Sequence, residues 1–173
     1  MKFLVIILAL VVVGIGIFFG WQYIANQQAN VVKSCGENNY NCLIEAAKVC
    51  GKATMASRTP FNLVDIGVET TGVIEIRGAA PEMADKCVFY TRTDNAKLIA
   101  SASSQLTEAE KAATEQQLKN SLIGSEATCK FTTYQIVDLL ETTKKYLAGE
   151  SVDSISFGPP DCVVKLPTGA ASQ

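Results

Sequence analysis

The sequence contains no histidine, and this absence excludes more chemistry than any other feature of its composition. Without histidine, no side chain has an unperturbed pKa near neutrality. Ser-His and Cys-His nucleophilic pairs and His-ligated zinc or iron sites are therefore excluded. Carboxylate pairs remain as a route to acid–base catalysis, and Asp65, Glu69 and Glu75 on one proposed hairpin would suit a hydrolase. Outward charges are equally typical of any half-exposed sheet, so we expect no catalytic residues and no enzyme.

Clusters of basic residues are also missing. Fifteen Lys and Arg stand against 17 Asp and Glu, and the formal net charge is −2. Proteins that bind the phosphate backbone need clustered Lys and Arg to release counterions, so we expect no nucleic-acid partner. The cysteines lack the short C-x2-C spacing of thiolate zinc sites and of redox pairs. We therefore expect no metal site and no other cofactor.

A long apolar run is present at the N-terminus. Residues 3–20 carry no charged or polar side chain, and as a helix this run is long enough to cross a hydrocarbon core of about 30 Å. Trp21 and Tyr23 follow it, and both residue types are common at the membrane interface. We assign residues 1–24 as a transmembrane signal anchor that contacts the bilayer through residues 3–24. A cleaved signal peptide, and hence a secreted protein, is the alternative, although the downstream alanines are poorly placed for cleavage.

The distribution of charge predicts the orientation of this anchor. Lys2 and the amino terminus precede the apolar run, and the next basic residue is Lys33. The positive-inside rule then keeps the N-terminus in the cytoplasm and places the rest of a single-pass protein outside the cell membrane. Gly16 and Gly20 have the GxxxG spacing that lets two membrane helices approach closely, so they are candidates for homodimer contact. Glycine is also simply common in membrane helices.

All the cysteines follow the apolar run, on the expected outer side. An even number in an oxidising compartment predicts three disulfides, formed among Cys35, Cys42, Cys50, Cys87, Cys129 and Cys162. Cys42 and Cys50 lie on one predicted helix, which separates them by about 12 Å along its axis. A disulfide requires Cα atoms within roughly 7 Å of each other, so these two should not pair. At least one of them should reach a strand cysteine, and Cys50–Cys87 is the preferred pairing.

Periodicity predicts an α+β domain over residues 35–166, with a mainly antiparallel sheet packed against helices. A polar juxtamembrane stalk at residues 25–34 would precede this domain, and a disordered tail at residues 167–173 would follow it. Helices are predicted at 41–53, from the Thr107 capping box to 123, and from 133 to 147. Strands are predicted at 66–69 and 74–76, joined by a turn at 70–72, and at 87–92, 129–131 and 162–166.

The chain contains the segment Cys42-Leu-Ile-Glu-Ala-Ala-Lys-Val-Cys50, followed later by Cys87-Val-Phe-Tyr. In its cysteine spacing the chain resembles small cysteine-containing envelope proteins of archaea and uncultured bacteria. That resemblance implies an envelope location and brings no known activity, so it transfers no functional residue.

Together these features favour a membrane-anchored binding or structural module of the cell envelope, whose partner is an unknown envelope protein or polymer. A pilin-like filament subunit is the main alternative, because pilins also carry a disulfide-stapled head on a long hydrophobic helix. Only Met1 and Lys2 precede the apolar run here, and the run lacks the embedded glutamate of many bacterial pilins.

Overall fold

The structure is a computed structural model that describes residues 31–63, 66–99, 106–151 and 161–167. The predicted anchor, with Gly16 and Gly20, lies outside the described residues, as do most of the predicted stalk and all of the predicted tail after Pro167. No helix within the described ranges is long and apolar enough to cross a membrane. A compact unit begins at Lys33, so the last two residues of the predicted stalk belong to the first strand of the domain.

The described residues form an α+β fold with a mainly antiparallel sheet, as predicted. Six strands and three helices follow one another in the order β1 Lys33–Glu37, α1 Tyr40–Ala47, β2 Ala53–Leu63, β3 Ile66–Ala80, β4 Met83–Leu98, α2 Glu108–Leu122, β5 Glu126–Thr132, α3 Thr133–Leu147 and β6 Asp161–Lys165. The strands lie in the sheet in chain order. β1 runs parallel to β2 through the α1 crossover, and every other neighbouring pair is antiparallel.

One face of this sheet packs against α1 and α3, which also contact each other. Alternate residues of the strands supply the sheet side of the core, because successive side chains of a strand point to opposite faces. The two helices contribute an apolar stripe each. The core includes Met55, Ile76, Cys87, Phe89, Cys129 and Phe131 from the sheet, and Leu43, Ile44, Ile136 and Leu140 from the helices.

The first helix is shorter than the predicted 41–53. It ends at Ala47, and the N–H of Gly51 donates to the carbonyl of Ala46 at 2.8 Å as the chain turns. Val49 is 76% exposed, whereas Ala53 is fully buried at the start of β2. The small residues that suggested a continuous helical face therefore divide between a helix, a turn and a strand. Both periodicities fit so short a segment, and strand pairing decides between them.

The predicted turn at 70–72 is also wrong. β3 continues through Gly72, and its hairpin partner is β2, where Leu63 pairs with Ile66. Gly72 is required for a different reason: a methyl group there would overlap the carbonyl oxygen of Arg92. At this point an extra residue in β4 shifts the register, so the two backbones approach closely. The sequence analysis did not recognise β2 because the strand contains Pro60. Proline is tolerated at this position because β1 does not pair with this part of β2.

The two later helices begin as predicted. Thr107 and Thr132 are their N-caps, and each completes a capping box, with Glu110 and Gln135 respectively. They differ in what they bury. α3 buries Ile136 and Leu140 in the core, whereas no side chain of α2 is fully buried.

Candidate functional site

Three disulfides are present, as predicted, and no cysteine is free. Cys35–Cys42 joins β1 to α1, with 5.6 Å between Cα atoms. Cys50–Cys87 joins the turn after α1 to β4, with a Cα separation of 5.5 Å. The third bond, Cys129–Cys162, links directly opposed residues of β5 and β6. The disulfides therefore tie the first strand to α1, the turn after α1 to β4, and the last strand to β5.

The preferred pairing of Cys50 with Cys87 is confirmed, and Cys42 and Cys50 do not pair. The predicted position of Cys50 on the helix was wrong. Cys50 has a φ of +49° and lies in the turn beyond α1, not on the helix. Cys42 also bonds to a strand cysteine, Cys35, in a strand that the sequence analysis did not recognise.

The face of the sheet opposite α1 and α3, which we call the open face, is polar. Glu75, Tyr90, Thr128 and Val163 are paired across β3, β4, β5 and β6 at one level of this face. They alternate with residues that point into the core, such as Phe89 next to Tyr90. An antiparallel sheet commonly packs on one side and meets solvent on the other, so this face is a candidate surface for a partner.

Glu69 is held on the open face between basic residues of two neighbouring strands. Its Oε1 lies 3.1 Å from Nε of Arg58 on β2 and 3.0 Å from Nζ of Lys97 on β4. The hydrogen bond from Lys97, assisted by the charge of Arg58, lowers the pKa of the Glu69 carboxyl below its ordinary value. This three-strand ion cluster keeps Glu69 ionised, which suits a structural contact better than proton transfer.

A second set of contacts surrounds Tyr90. Nε of Arg77 lies 2.8 Å from Oε2 of Glu75, and the Arg77 guanidinium carbon lies 3.4 Å from the centroid of the Tyr90 ring. This is a cation–π geometry, and Tyr90 is buried although it belongs to the open face.

Ion pairs also extend to the last strand. Lys86 of β4 reaches across β5 to Asp161 of β6, with 3.0 Å between Nζ and Oδ2. The hydrogen bond from Lys86 lowers the pKa of Asp161. At the other end of β6, Nζ of Lys165 lies 3.8 Å from Oε2 of Glu126. Exposed pairs of this kind contribute little stability each, but together they give the open face mixed charge.

Two of the carboxylates that would suit a hydrolase, Glu69 and Glu75, are not brought together. Glu69 and Glu75 are six residues apart on β3, which corresponds to about 20 Å along a strand. Catalytic carboxylates of glycosidases lie about 5–9.5 Å apart, so these two cannot flank one bond. Asp65 lies outside the described residues. Within the described part of the chain, no group of three or more potential metal-ligating side chains occurs.

A shallow groove of about 360 Å³ lies between α1 and α3. Its charged lining is balanced, with three lysines and three glutamates: Lys48, Lys144, Lys145, Glu45, Glu141 and Glu150. Nζ of Lys144 donates to Oδ1 of Asn41 at 2.8 Å, and this contact ties the two helices together. The groove has no converging set of buried polar groups, so it does not define a ligand.

Sequence reasoning placed Glu69 and Glu75 on an outward face but missed Arg58 and Lys97, the basic residues that pair with Glu69. Arg58 was missed because β2 was not recognised, and Lys97 because β4 extends beyond the predicted strand. Comparison of the chain with models of protein families, with curated proteins and with solved structures gives no match. The resemblance to envelope proteins therefore stays a prediction.

Proposed function

We propose that this protein is a non-catalytic binding or structural module of the cell envelope, anchored in the membrane by residues 3–24. In this proposal the N-terminus is cytoplasmic and the α+β domain is outside. Its open face meets an envelope protein or polymer.

The disulfide framework carries this proposal. Disulfides persist in oxidising compartments and are rare in the cytosol. All six cysteines are paired, which favours an extracytoplasmic domain. The apolar run before the domain and the position of Lys2 favour anchoring with the same orientation.

The character of the open face supports a binding or structural role. Its described carboxylates Glu69, Glu75 and Asp161 are each engaged by a basic side chain, and the pKa values of Glu69 and Asp161 are lowered. General acid–base catalysis favours groups whose pKa lies near the working pH, and these shifts go the other way. A face of mixed charge suits contact with another macromolecule.

Topology can be tested on the full-length protein in intact cells. Protease added from outside should degrade the domain, and alkaline extraction should leave the protein in the membrane fraction. The mature N-terminal sequence should begin at or near Met1. A sequence that begins between Ala25 and Lys33 would replace the anchor by a cleaved signal, and a domain protected from protease would overturn the proposal. Recovery in sheared filaments would favour the pilin-like alternative.

The role of the open face can be tested with a matched pair of charge reversals. Arg77→Glu changes the open face, and Lys145→Glu changes the helical side. After chemical cross-linking on intact cells, Arg77→Glu should reduce the yield of the cross-linked partner, and Lys145→Glu should leave it unchanged. Equal yields from both variants would remove the open face as the contact surface.

A further inference from the structure

The two edges of the sheet differ in a way that bears on assembly. At the β1 edge the strand is exposed and polar, with positive φ at Gly36 and at Asn38 just after it. Its pairing with β2 shifts register between Ser34 and Glu37. Beyond this shift the Asn38 side chain replaces backbone pairing: it accepts from the N–H of Arg58 at 2.9 Å and donates to the Arg58 carbonyl at 3.3 Å. Irregularity of this kind blocks strand addition, so the β1 edge is protected.

The β6 edge has the opposite character. Within the described residues β6 pairs with β5 alone, and the side chains of Val163, Val164 and Leu166 are each more than 60% exposed. Val163 and Val164 point to opposite faces, so each side of this edge carries an exposed valine. The Cys129–Cys162 bond prevents β6 from slipping or detaching. A regular, apolar and covalently fixed edge is a template for a further strand.

The charges of β6 indicate which strand fits there. Asp161 and Lys165 lie at its two ends, on the same face as Val163. An antiparallel copy of β6 centred on Val163 would place Asp161 opposite Lys165 of the second copy, and Lys165 opposite Asp161 of the second copy. Val163 would meet its own equivalent, and Cys162 would face Val164 of the second copy. Opposite charges and apolar pairs directly across a ladder are stabilising, so β6 is complementary to itself.

We propose that β6 pairs with β6 of a second copy of this chain around a two-fold axis at Val163. The side chains of Asp161 and Lys165 are 56% and 73% exposed, which leaves each free to face the second copy while it keeps its contact with Lys86 or Glu126. The two six-stranded sheets join into one, with α1 and α3 of both copies on the same side. The two open faces then form a single continuous surface.

This assembly goes beyond the proposed function and is independent of the membrane segment. Pairing of β6 with the β1 edge of another copy would be heterologous and would build an open filament. The irregular β1 edge disfavours that arrangement, whereas pairing of β6 with itself closes after two copies.

The first test substitutes the residue on the two-fold axis. Val163→Lys places two like charges opposite each other, and Val49→Lys makes the same change at an exposed valine in the turn after α1. Self-association of the full-length protein in detergent is measured by sedimentation equilibrium. Since all variants share the N-terminal segment, any difference reports on β6. Val163→Lys should weaken association about tenfold, and Val49→Lys should not change it. Equal association of Val163→Lys and wild type would overturn the proposal.

The second test uses charge exchange and separates association from folding. Asp161→Lys and Lys165→Asp should each weaken self-association, because each homodimer then contains two like-charge pairs. A mixture of the two variants should restore association, since every pair across the axis is again opposite in charge. A folding defect in either variant would not be repaired by mixing. Failure of the mixture to associate, or growth of wild-type protein into open filaments, would overturn the closed pairing of β6.

Discussion

The two ends of the long central strands are stabilised by different means. The clamped end, as we call it, is the part of the sheet that α1 and α3 cover, together with β1, β5 and β6. The far end comprises residues 57–63 of β2, 66–73 of β3 and 93–98 of β4. All three disulfides and the main core lie at the clamped end. The far end contains no cysteine; strand pairing, the buried Val68 and Ala96 and the Glu69 ion cluster stabilise it, and α2 packs against β4.

We therefore expect local stability to vary sharply within one continuous sheet. Covalent closure and a buried two-helix core stabilise the clamped end, whereas the ion pairs at the far end contribute little. Proteins open locally wherever apolar burial is sparse. We therefore expect the far end to open first and the clamped end to unfold last.

The largest effect should come from removal of the disulfide that links the turn after α1 to β4. Cys50→Ala with Cys87→Ala opens a loop with a sequence separation of 37 residues and should cost about 3–4 kcal/mol. Cys35→Ala with Cys42→Ala opens a separation of only seven residues and should cost about 2.5 kcal/mol. Urea unfolding of both variants measures the free energies. An equal or larger loss for the shorter loop would contradict the chain-entropy account.

A leucine-to-alanine pair compares the two 15-residue helices directly. Leu140 of α3 is 1% exposed in the core, so Leu140→Ala should cost about 3 kcal/mol through lost burial and a cavity. Leu118 of α2 is half-buried, and Leu118→Ala should cost about 1 kcal/mol or less. Thermal unfolding measures both. Equal losses would show that α2 contributes a core of its own.

The bulge that begins the far end can be tested at Gly72. Gly72→Ala forces a methyl group against the Arg92 carbonyl oxygen, and the backbone shift should cost about 2 kcal/mol. Gly51→Ala is the matched control, because its methyl group would meet neighbours only at ordinary contact distances, 3.5 Å and more. Faster hydrogen exchange should be confined to residues 66–73 and 93–98. Faster exchange throughout the sheet would contradict the division into two ends.

The smallest effect concerns pH and the Glu69 ion cluster. The folded-state pKa of Glu69 is lowered from an ordinary value of 4.5, first by the hydrogen bond from Lys97. Its contribution to stability is therefore complete above the ordinary pKa and is lost as the pH falls through the lowered one. Glu69→Gln should melt below wild type at neutral pH, and the difference should shrink as the pH falls below 4.5. A difference that persists in acid would assign the effect to packing.

The sequence was sufficient where local chemistry decides the structure. The capping box at Thr107 predicted the start of α2, and an even number of cysteines predicted three disulfides. It was insufficient where tertiary pairing decides. Ala53 and Met55 fit a helix as well as a strand until β1 and β3 pair on either side of β2. Gly72 looked like a turn because its actual requirement is the close approach of Arg92, which no local pattern records.

The candidate site shows the same division. Its acidic residues were visible from the alternation of Glu69 and Glu75, but their separation along one continuous β3 was not. The partners Arg58 and Lys97 come from strands on either side, at positions set by register. The self-complementary charges of β6 are visible in the sequence, but their meaning depends on β6 lying at an edge of the sheet.

The central claim is that this domain is covalently clamped at one end of its sheet and lies outside the cytoplasm. Non-reducing peptide mapping of the full-length protein, alkylated as it is recovered from its native compartment, tests this most directly. The account predicts three linked peptide pairs, Cys35 with Cys42, Cys50 with Cys87 and Cys129 with Cys162, and no alkylated thiol. Six alkylated cysteines would contradict the compartment, and a Cys42–Cys50 bond would contradict the fold.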